Sequence, residues 1–310
     1  MASLSSGLNP AVVKTELDEV FMQEFEIEPG PQIATATDAL VFRQSSVDNA
    51  AKIMEVFKGS GLWEERAEEQ DVPQDTPRVD DKITYSVLNF AKSVDITKNF
   101  FDDDMHDVVG EMIRDFGEMA RITQNDKAME SYRNSFTTFL TADGAALYSN
   151  THTNINGDTV DNLEEGVLTE ANLETMIVSL GQQINQAGVI RGHRPNALLV
   201  PMALFKDASE ILDSELRQGT ADNDINVYSD KYGIFLKQSP YLGATAGGSD
   251  SAHFLLARNH SVMRWERQGV TTDLVDWKLQ RNNNYIYKGE YREMYGAVTY
   301  EGTVGSNGTV

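Results

Sequence analysis

A single long helical pattern restricts the folds available to this chain more than any other feature. From Asp104 to about Leu140, apolar residues recur at spacings of three and four and form one stripe: Met105, Val108, Val109, Met112, Phe116, Met119, Met129, Tyr132, Phe136 and Phe139. The run Asp102 to Asp104 comes just before it, where carboxylates stabilise a helix N-terminus. At about 1.5 Å per residue such a helix reaches roughly 50 Å, with a kink expected near Ile122. Few compact enzymes need so long a rod.

The N-terminal segment combines a short helix with an extended stretch. Residues 9–25 place apolar side chains at near-helical spacing, with Asn9 as the N-cap and Pro10 in the first turn. The run from Pro29 to Pro31 stops the helix, and the chain then continues extended to Phe42. We expect this stretch to be an exposed arm.

Residues 56–100 contain a long acidic connection followed by a strand. The connection includes Pro73 and Pro77 and is too polar to form a core. The stretch DKITYSVLNFAKSVDITKNF alternates and is rich in β-forming residues, which predicts a strand. We therefore expect a long two-stranded excursion whose tip is exposed to solvent unless a partner covers it.

The second half predicts a small α/β layer and then a series of strands, so the fold class is α+β. Thr169 opens a helix that we expect to end at Gly188. The next phrase predicts a buried strand from Ala197 to Val200, a turn at Pro201 and a helix to about Leu212. Turn residues separate the remaining predicted strands: INVYSD, GIFLKQSPYL, HFLLAR, SVMRWERQ, VTTDLVDWKL and YIYKGEYREMYGAVTYEGTV.

The composition excludes several classes of function. Asp and Glu number 48 against 26 Lys and Arg, which gives a net charge of −22. So negative a surface disfavours general DNA or RNA binding, because that affinity comes mainly from cations that release counterions. The absence of cysteine excludes thiolate chemistry, disulfides and cysteine-bound zinc. We find no secretory signal and no apolar run long enough to span a membrane, so we expect a soluble protein made in the cytosol.

No motif in the sequence predicts catalysis or a cofactor. His106 and His152 lie in no metal-ligand pattern, and the run Asp102 to Asp104 lacks the spaced ligands of a calcium loop. The glycine-rich phrases GSGLW and ATAGGSDS are turns rather than phosphate-binding loops. Trp265 and Trp277 lie in alternating strands, where packing is favoured over ligand binding. We therefore expect no catalytic residue, no cofactor and no metal.

The order of these pieces resembles the major capsid proteins of tailed bacteriophages that have the HK97 fold. The likeness covers nearly the whole chain and is carried by the phrases SVDITKNFFDDDMHDVV, DGAALYSNTHTN, NALLVPMALFKDASEILDS, SVMRWERQGVTTDLVDWKL and NNNYIYKGEYREMYGAVTYEG. It implies five segments: an N-terminal arm (1–55), an extended E-loop hairpin (56–97), a P-domain with the long spine helix (98–164), an A-domain (165–280), and return strands of the P-domain with the C-terminus (281–310).

The resemblance implies a structural protein and not an enzyme. Its members self-assemble into hexamers and pentamers of an icosahedral shell that encloses phage double-stranded DNA without sequence-specific binding. The implied partners are further copies of the chain, a scaffolding protein, a portal and, in some shells, a decoration protein. The virion would be the final location, after synthesis in the host cytoplasm and maturation of a procapsid. An encapsulin-like compartment, which shares the fold but encloses cargo enzymes, stays open as the alternative.

The resemblance also suggests individual residues. Side chains expected to contact neighbouring subunits lie in the arm, in the hairpin and in the loop TADGAALYSNTHTN, where the histidine has a structural role: Phe21, Phe25, Leu62, Trp63 and His152. Some shells of this kind join a hairpin lysine to a P-domain asparagine beside a catalytic glutamate, although most do not. The residues in the corresponding regions are Lys58 or Lys82, Asn283 and Glu290. Because the chain begins almost directly with an arm-like helix, we expect a separate scaffolding protein or an already mature sequence.

Overall fold

A computed structural model describes residues 10–57, 59, 61–74, 78–103, 107–214, 228, 232–280 and 284–309. The helices within these residues are α1 (Pro10–Phe25), α2 (Lys98–Asp102), α3 (Val108–Arg133), α4 (Glu170–Gln182) and α5 (Phe205–Asp213). The strands are β1 (Arg43–Ser46), β2 (Ala51–Phe57), β3 (Val79–Ser86), β4 (Leu88–Thr97), β5 (His152–Thr153), β6 (Thr159–Val160), β7 (Leu163–Glu164), β8 (Pro195–Pro201), β9 (Phe235–Ser239), β10 (His253–Ala257), β11 (Val262–Val275), β12 (Asn284–Ala297) and β13 (Thr303–Ser306).

The predicted long helix is present as α3, but its ends differ from the prediction. It contains 26 residues and is about 39 Å long at about 1.5 Å per residue. Asp102 ends the short helix α2, so it does not cap α3. The N-cap is Asp107, whose backbone is left-handed. Beyond Arg133, the amides of residues 137 to 139 all donate to the carbonyl of Asn134, and this turn ends the helix before Leu140. Helix α3 runs unbroken through Ile122, and a kink there stays a prediction.

Helices α1 and α3 pack on a four-stranded sheet with the strand order β1, β11, β12, β4. Strands β11 and β12 are antiparallel and 14 residues long, while β1 pairs with β11 in parallel. The sequence predicts two strands in place of β11. They are one strand with register shifts between Glu266 and Thr271, because Gly269 forms an irregularity and not a turn.

A five-stranded sheet with the order β7, β13, β10, β8, β9 forms the second layer. The alternation of side chains along β8 supplies two cores. Leu198 and Val200 pack with residues of α4 and α5, whereas Ala197 and Leu199 pack with Phe42 and other residues near the end of α3. The strand, the turn at Pro201 and the following helix are thus confirmed.

Residues 26–32 are largely exposed, as expected of an arm, but side chains before and after them pack into the body of the chain. In α1, Val13, Leu17 and Phe21 are buried against α3 and the sheet. Further along, Ala34, Ala36, Val41 and Phe42 are also buried, and the amide of Ala34 donates to the carbonyl of Gln238 at 2.8 Å. The Pro-Gly-Pro run stops the helix as predicted. The stretch after it is not extended as predicted but consists largely of turns, and its buried side chains fill the body of the same chain.

The predicted start of α4 is confirmed, but its predicted end is not. The Thr169 side chain accepts from the amide of Asn172 and caps α4, but the helix ends at Gln182. Gly188 lies beyond it in a turn with φ of +76°. The predicted strand INVYSD lies outside the described residues except for Tyr228. Strand β1 is not predicted from the sequence, because it is short and polar and depends on pairing with β11.

Candidate functional site

A two-stranded excursion is present as the antiparallel hairpin of β2 and β3, but its bounds differ from the prediction. Strand β2 begins at Ala51, before the predicted segment, and the predicted single strand is two strands, of which β4 lies in the four-stranded sheet. Ile53 lies opposite Thr84, and Glu55 lies opposite Lys82. Residues 61–74, between the two strands, form the hairpin tip. The hairpin turns back onto the body of the chain, since β4 follows β3 almost directly and pairs with β12.

The hairpin tip leaves apolar side chains uncovered. Trp63 is 97% exposed, Leu62 is 77% exposed and Val72 is 69% exposed. On the strands, Ile53 and Phe57 are also more than half exposed. A two-stranded ribbon with apolar side chains in water is marginal by itself, and contiguous exposed apolar patches mark interaction sites. The tip is therefore the strongest candidate for a contact surface in the described chain.

The base of the hairpin is fixed by Tyr85. Its hydroxyl donates to the carbonyl of Ala297 at 2.7 Å and accepts from the amide of the same residue at 3.0 Å. Burial raises the pKa of Tyr85 to about 12, although the bond to the Ala297 backbone lowers it in part. The ring lies 5.7 Å from that of Trp265, and a Cβ added to Gly296 would come within 2.5 Å of it. Only glycine at position 296 lets the ring approach β12 so closely.

A buried ionic network below the hairpin joins four elements. Arg264 Nε donates to Glu293 Oε2 at 2.8 Å, and Gln124 of α3 donates to the same oxygen at 3.1 Å. Tyr295 donates to the other Glu293 oxygen, while Gln44 of β1 accepts from Arg264. Glu293 is 1% exposed, and burial raises its pKa even though Arg264 and the hydrogen bonds favour the ionised form. The network fixes α3 and β1 on the sheet from which the hairpin extends.

His152 fixes the loop TADGAALYSNTHTN from inside. Its ring is completely buried, with Nδ1 2.7 Å from Asp143 Oδ2 and Nε2 3.1 Å from the carbonyl oxygen of Leu147. Burial raises the pKa of Asp143, but hydrogen bonds from His152, Thr141 and the Ala145 amide outweigh this effect, so the net pKa is lowered. The side chain of His152 thus closes a loop and offers no surface to another molecule.

The remaining residues singled out in the sequence are separated in the structure. Phe21 is completely buried and stacks on Phe25 at 6.0 Å, so its ring is unavailable to a neighbour. Lys82 lies on β3 of the hairpin, whereas Glu290 lies on β12 and accepts from Gln268 at 3.2 Å. Lys58 and Asn283 lie outside the described residues.

The sequence interpretation missed the residues that hold the hairpin base and the ionic network. Tyr85, Gly296, Arg264 and Glu293 are far apart in sequence, and their pairing depends on the register of β3, β11 and β12. The one local signal is the alternation in β11, which places Arg264 on the face opposite to that of Trp265.

The described residues contain neither a candidate metal-binding cluster nor a candidate membrane-spanning helix. Within them, no group of three or more histidine or acidic side chains is arranged to hold a metal ion. A helix with the length and apolarity of a membrane span is likewise not found in the described part of the chain. Trp265 is fully buried beside Tyr85 and Met294 and fills a core, in agreement with the packing role expected for it.

Solved structures with the same architecture are shell proteins. The capsid structure of the cyanophage P-SCSP1u aligns over 91% of this chain and 90% of its own, with 11% identity and a TM-score of 0.56. The virus-like particle from Pyrococcus furiosus aligns over 94% and 98%, with 9% identity and a TM-score of 0.55. The SrpI encapsulin from Synechococcus elongatus aligns over 91% of both chains, with 13% identity and a TM-score of 0.50. The fold is therefore that of HK97-like shell proteins.

The sequence itself gives the family. Residues 80–304 match the family model described as phage capsid protein, and the chain belongs to that family. No curated protein sequence matches the chain. The resemblance to HK97-fold major capsid proteins and the α+β fold class are both confirmed. The protein is a structural component of a virion shell that assembles from many copies of itself.

Proposed function

We propose that this major capsid protein forms the hexamers and pentamers of an icosahedral shell around double-stranded phage DNA, and that the hairpin tip provides a principal contact between neighbouring subunits. The exposure of Trp63 and Leu62 is the observation that carries the proposal. Burying one large aromatic side chain contributes about 2 kcal/mol, and a closed shell repeats that contact in every subunit.

The sheet topology supports the proposed division of the chain in part. The hairpin of β2 and β3 projects from the sheet that α3 supports, in keeping with an E-loop on a P-domain, whereas residues 88–97 of the proposed segment 56–97 form β4 of that sheet. Residues 165–280 include α4, α5 and three strands of the five-stranded sheet, in keeping with an A-domain, but β11 within this range belongs to the four-stranded sheet. The segment 281–310 returns through β12 to the first sheet and through β13 to the second. The segment 1–55 supplies only a partial arm, because Leu17, Phe21 and Phe42 are among its side chains that are buried in the body of the chain.

The charge of the subunit supports a container that does not bind its contents tightly. A net charge of −22 repels phosphate backbones, so packaged DNA would be confined and not held by the wall. A scaffolding protein, a portal and a decoration protein are the proposed partners in assembly, with synthesis in the host cytoplasm. Candidate cross-linking through Lys82 and Glu290 stays a proposal, with Lys58 and Asn283 as the other members.

The test uses the full chain and two variants of one side chain. We expect the unmodified protein to form closed shells that are visible by electron microscopy and sediment far faster than a subunit. Trp63→Ser should reduce the assembled fraction at least tenfold, whereas Trp63→Phe should retain most of it, because a large ring is kept. Thermal unfolding of the unassembled subunit should be nearly equal for all three, since Trp63 makes little contact within the chain.

The outcomes separate the possible functions. A folded monomer under all conditions, alone or with a co-expressed scaffolding protein, would contradict the shell. Normal assembly of Trp63→Ser would contradict the role of the tip. Nuclease-protected DNA in particles from infected cells supports a phage head, whereas an enclosed enzyme supports the encapsulin-like alternative that the fold also accommodates.

A further inference from the structure

A short basic segment is conspicuous in so acidic a chain. The sequence IRGHR at residues 190–194 follows α4 and precedes β8. A bridge between Ile184 and Ile190 and a bond from the amide of Asn185 to the carbonyl of Val189 hold the turn before it. The segment is therefore presented from a fixed turn, and its arginines face solvent: Arg191 and Arg194 are both exposed.

The segment borders a groove of about 540 Å³ between the end of α4 and the start of β8. Its described lining contains no carboxylate: Ile177, Val178, Gly181, Gln182, His193, Arg194, Pro195 and Tyr232. Arg191 reaches Glu301 at 3.8 Å, but within the described residues Arg194 has no carboxylate at ion-pair distance. Burial, with Arg191 nearby, lowers the pKa of His193, so that ring is neutral at pH 7. The permanent positive charge at the groove belongs to Arg194.

Apolar side chains surround this charge. Ile190 is 60% exposed, Val178 is 47% exposed and Tyr232 is 42% exposed. A groove with a cationic rim and uncovered apolar walls fits a peptide that combines carboxylates with large apolar side chains. A nucleic acid would match the charge only, and one unpaired arginine in a chain of net charge −22 supplies too little phosphate affinity.

The hairpin tip has the complementary composition. It contains five carboxylates (Glu64, Glu65, Glu68, Glu69 and Asp71) against one basic residue (Arg66), next to the exposed Leu62 and Trp63. We propose that the hairpin tip of one subunit docks in the groove beside Arg194 of a second copy of this chain. This inference rests on the proposed shell assembly and names the surface that receives the tip.

Proximity can be tested by cross-linking, because the chain has no cysteine of its own. The variant Ala67→Cys/Gln182→Cys places one thiol in the tip and one at the groove without removing any of the charges involved. Treatment of assembled shells with a short bismaleimide should produce a ladder of covalent oligomers on a denaturing gel. The matched control is Ala67→Cys/Asn259→Cys, since Asn259 is exposed in a turn of the same five-stranded unit. The single variants are further controls: Ala67→Cys measures linkage between two tips, and Gln182→Cys measures linkage between two grooves.

Charge reversal gives a second and independent measurement in the cysteine-free chain. Arg194→Glu should lower the shell yield on the order of fivefold, which corresponds to loss of one exposed ion pair. Adding Glu64→Arg and Glu65→Arg should restore it. Arg258→Glu, which changes the same net charge at another exposed site, should have little effect.

The results distinguish this inference from the proposed function. Shells that form normally but give no Ala67/Gln182 ladder above the control, or whose yield is unchanged by Arg194→Glu, would overturn the docking site and leave the shell intact. Failure of the unmodified chain to assemble would overturn the proposed function itself. A ladder together with rescue by the reversed tip supports the docking of the tip in the groove.

Discussion

At the scale of single residues, the ion pair of Arg264 and Glu293 is the most demanding feature of the body. The two side chains are 5% and 1% exposed, so removal of one leaves a buried charge without its partner. We expect Arg264→Met to lower the free energy of unfolding by about 3 to 5 kcal/mol, and Arg264→Met/Glu293→Leu to recover much of this loss. Urea unfolding of unassembled subunits measures both changes.

The same two strands provide the control. Lys288 of β12 pairs with Asp273 of β11 at 3.1 Å, but both side chains are about half exposed. Lys288→Met should therefore cost no more than about 1 kcal/mol. Burial already raises the pKa of Glu293, and loss of Arg264 raises it further. Because a raised carboxylate pKa favours the protonated native state as pH falls, the deficit of Arg264→Met should shrink between pH 7 and pH 5. An unchanged deficit would mean that Glu293 stays ionised.

At the scale of elements, the packing of α1 on α3 depends on Gly117. A Cβ at this position would lie 2.6 Å from the carbonyl oxygen of Phe21, which is backbone and cannot rotate away. Gly117→Ala should therefore destabilise the subunit by about 1 to 2 kcal/mol, because the overpacking cost exceeds the gain in helix propensity. Thermal unfolding of the unassembled subunit is the measurement.

Gly110 is the matched glycine in the same helix. A Cβ there would meet the side chain of Asp107 at 2.6 Å, and a carboxylate on a flexible side chain can move. Gly110→Ala should be neutral or stabilising by up to about 1 kcal/mol. Equal effects of the two substitutions would show that α1 does not depend on close approach to α3. The N-terminal segment would then be better described as an arm than as part of the packed body.

The elements that the sequence predicts well are those with strong local signals. Thr169 caps α4, Pro201 marks the end of β8 before α5, and alternating β-formers predict the second strand of the hairpin, although not β2. The exposed arm failed because burial of Val41 and Phe42 depends on the end of α3, which is distant in sequence. The ionic network and the contact of Tyr85 with Gly296 likewise depend on strand register, which a single sequence does not specify here.

At the scale of the whole molecule, charge opposes assembly and apolar contact favours it. Every subunit carries a net charge of −22, and subunits in a shell lie well within the range at which such charges repel at low salt. The screening length falls from about 30 Å at 0.01 M salt to about 8 Å at 0.15 M. Added salt weakens the contacts of exposed apolar side chains such as Trp63 very little, since the free energy of burying them does not depend on charge.

We therefore expect the assembled fraction to rise as salt increases from about 0.01 M to about 0.15 M. Docking of the acidic tip near Arg194 would weaken over the same range of salt concentration. It involves only a few charges, whereas the whole subunit is repelled by its neighbours, so the screening of this repulsion determines whether assembly rises or falls. Light scattering at constant protein concentration measures assembly, and thermal unfolding of the subunit at each salt concentration separates assembly from folding. A fall in assembly with rising salt would show that opposite charges between subunits, and not apolar contacts, hold the shell together.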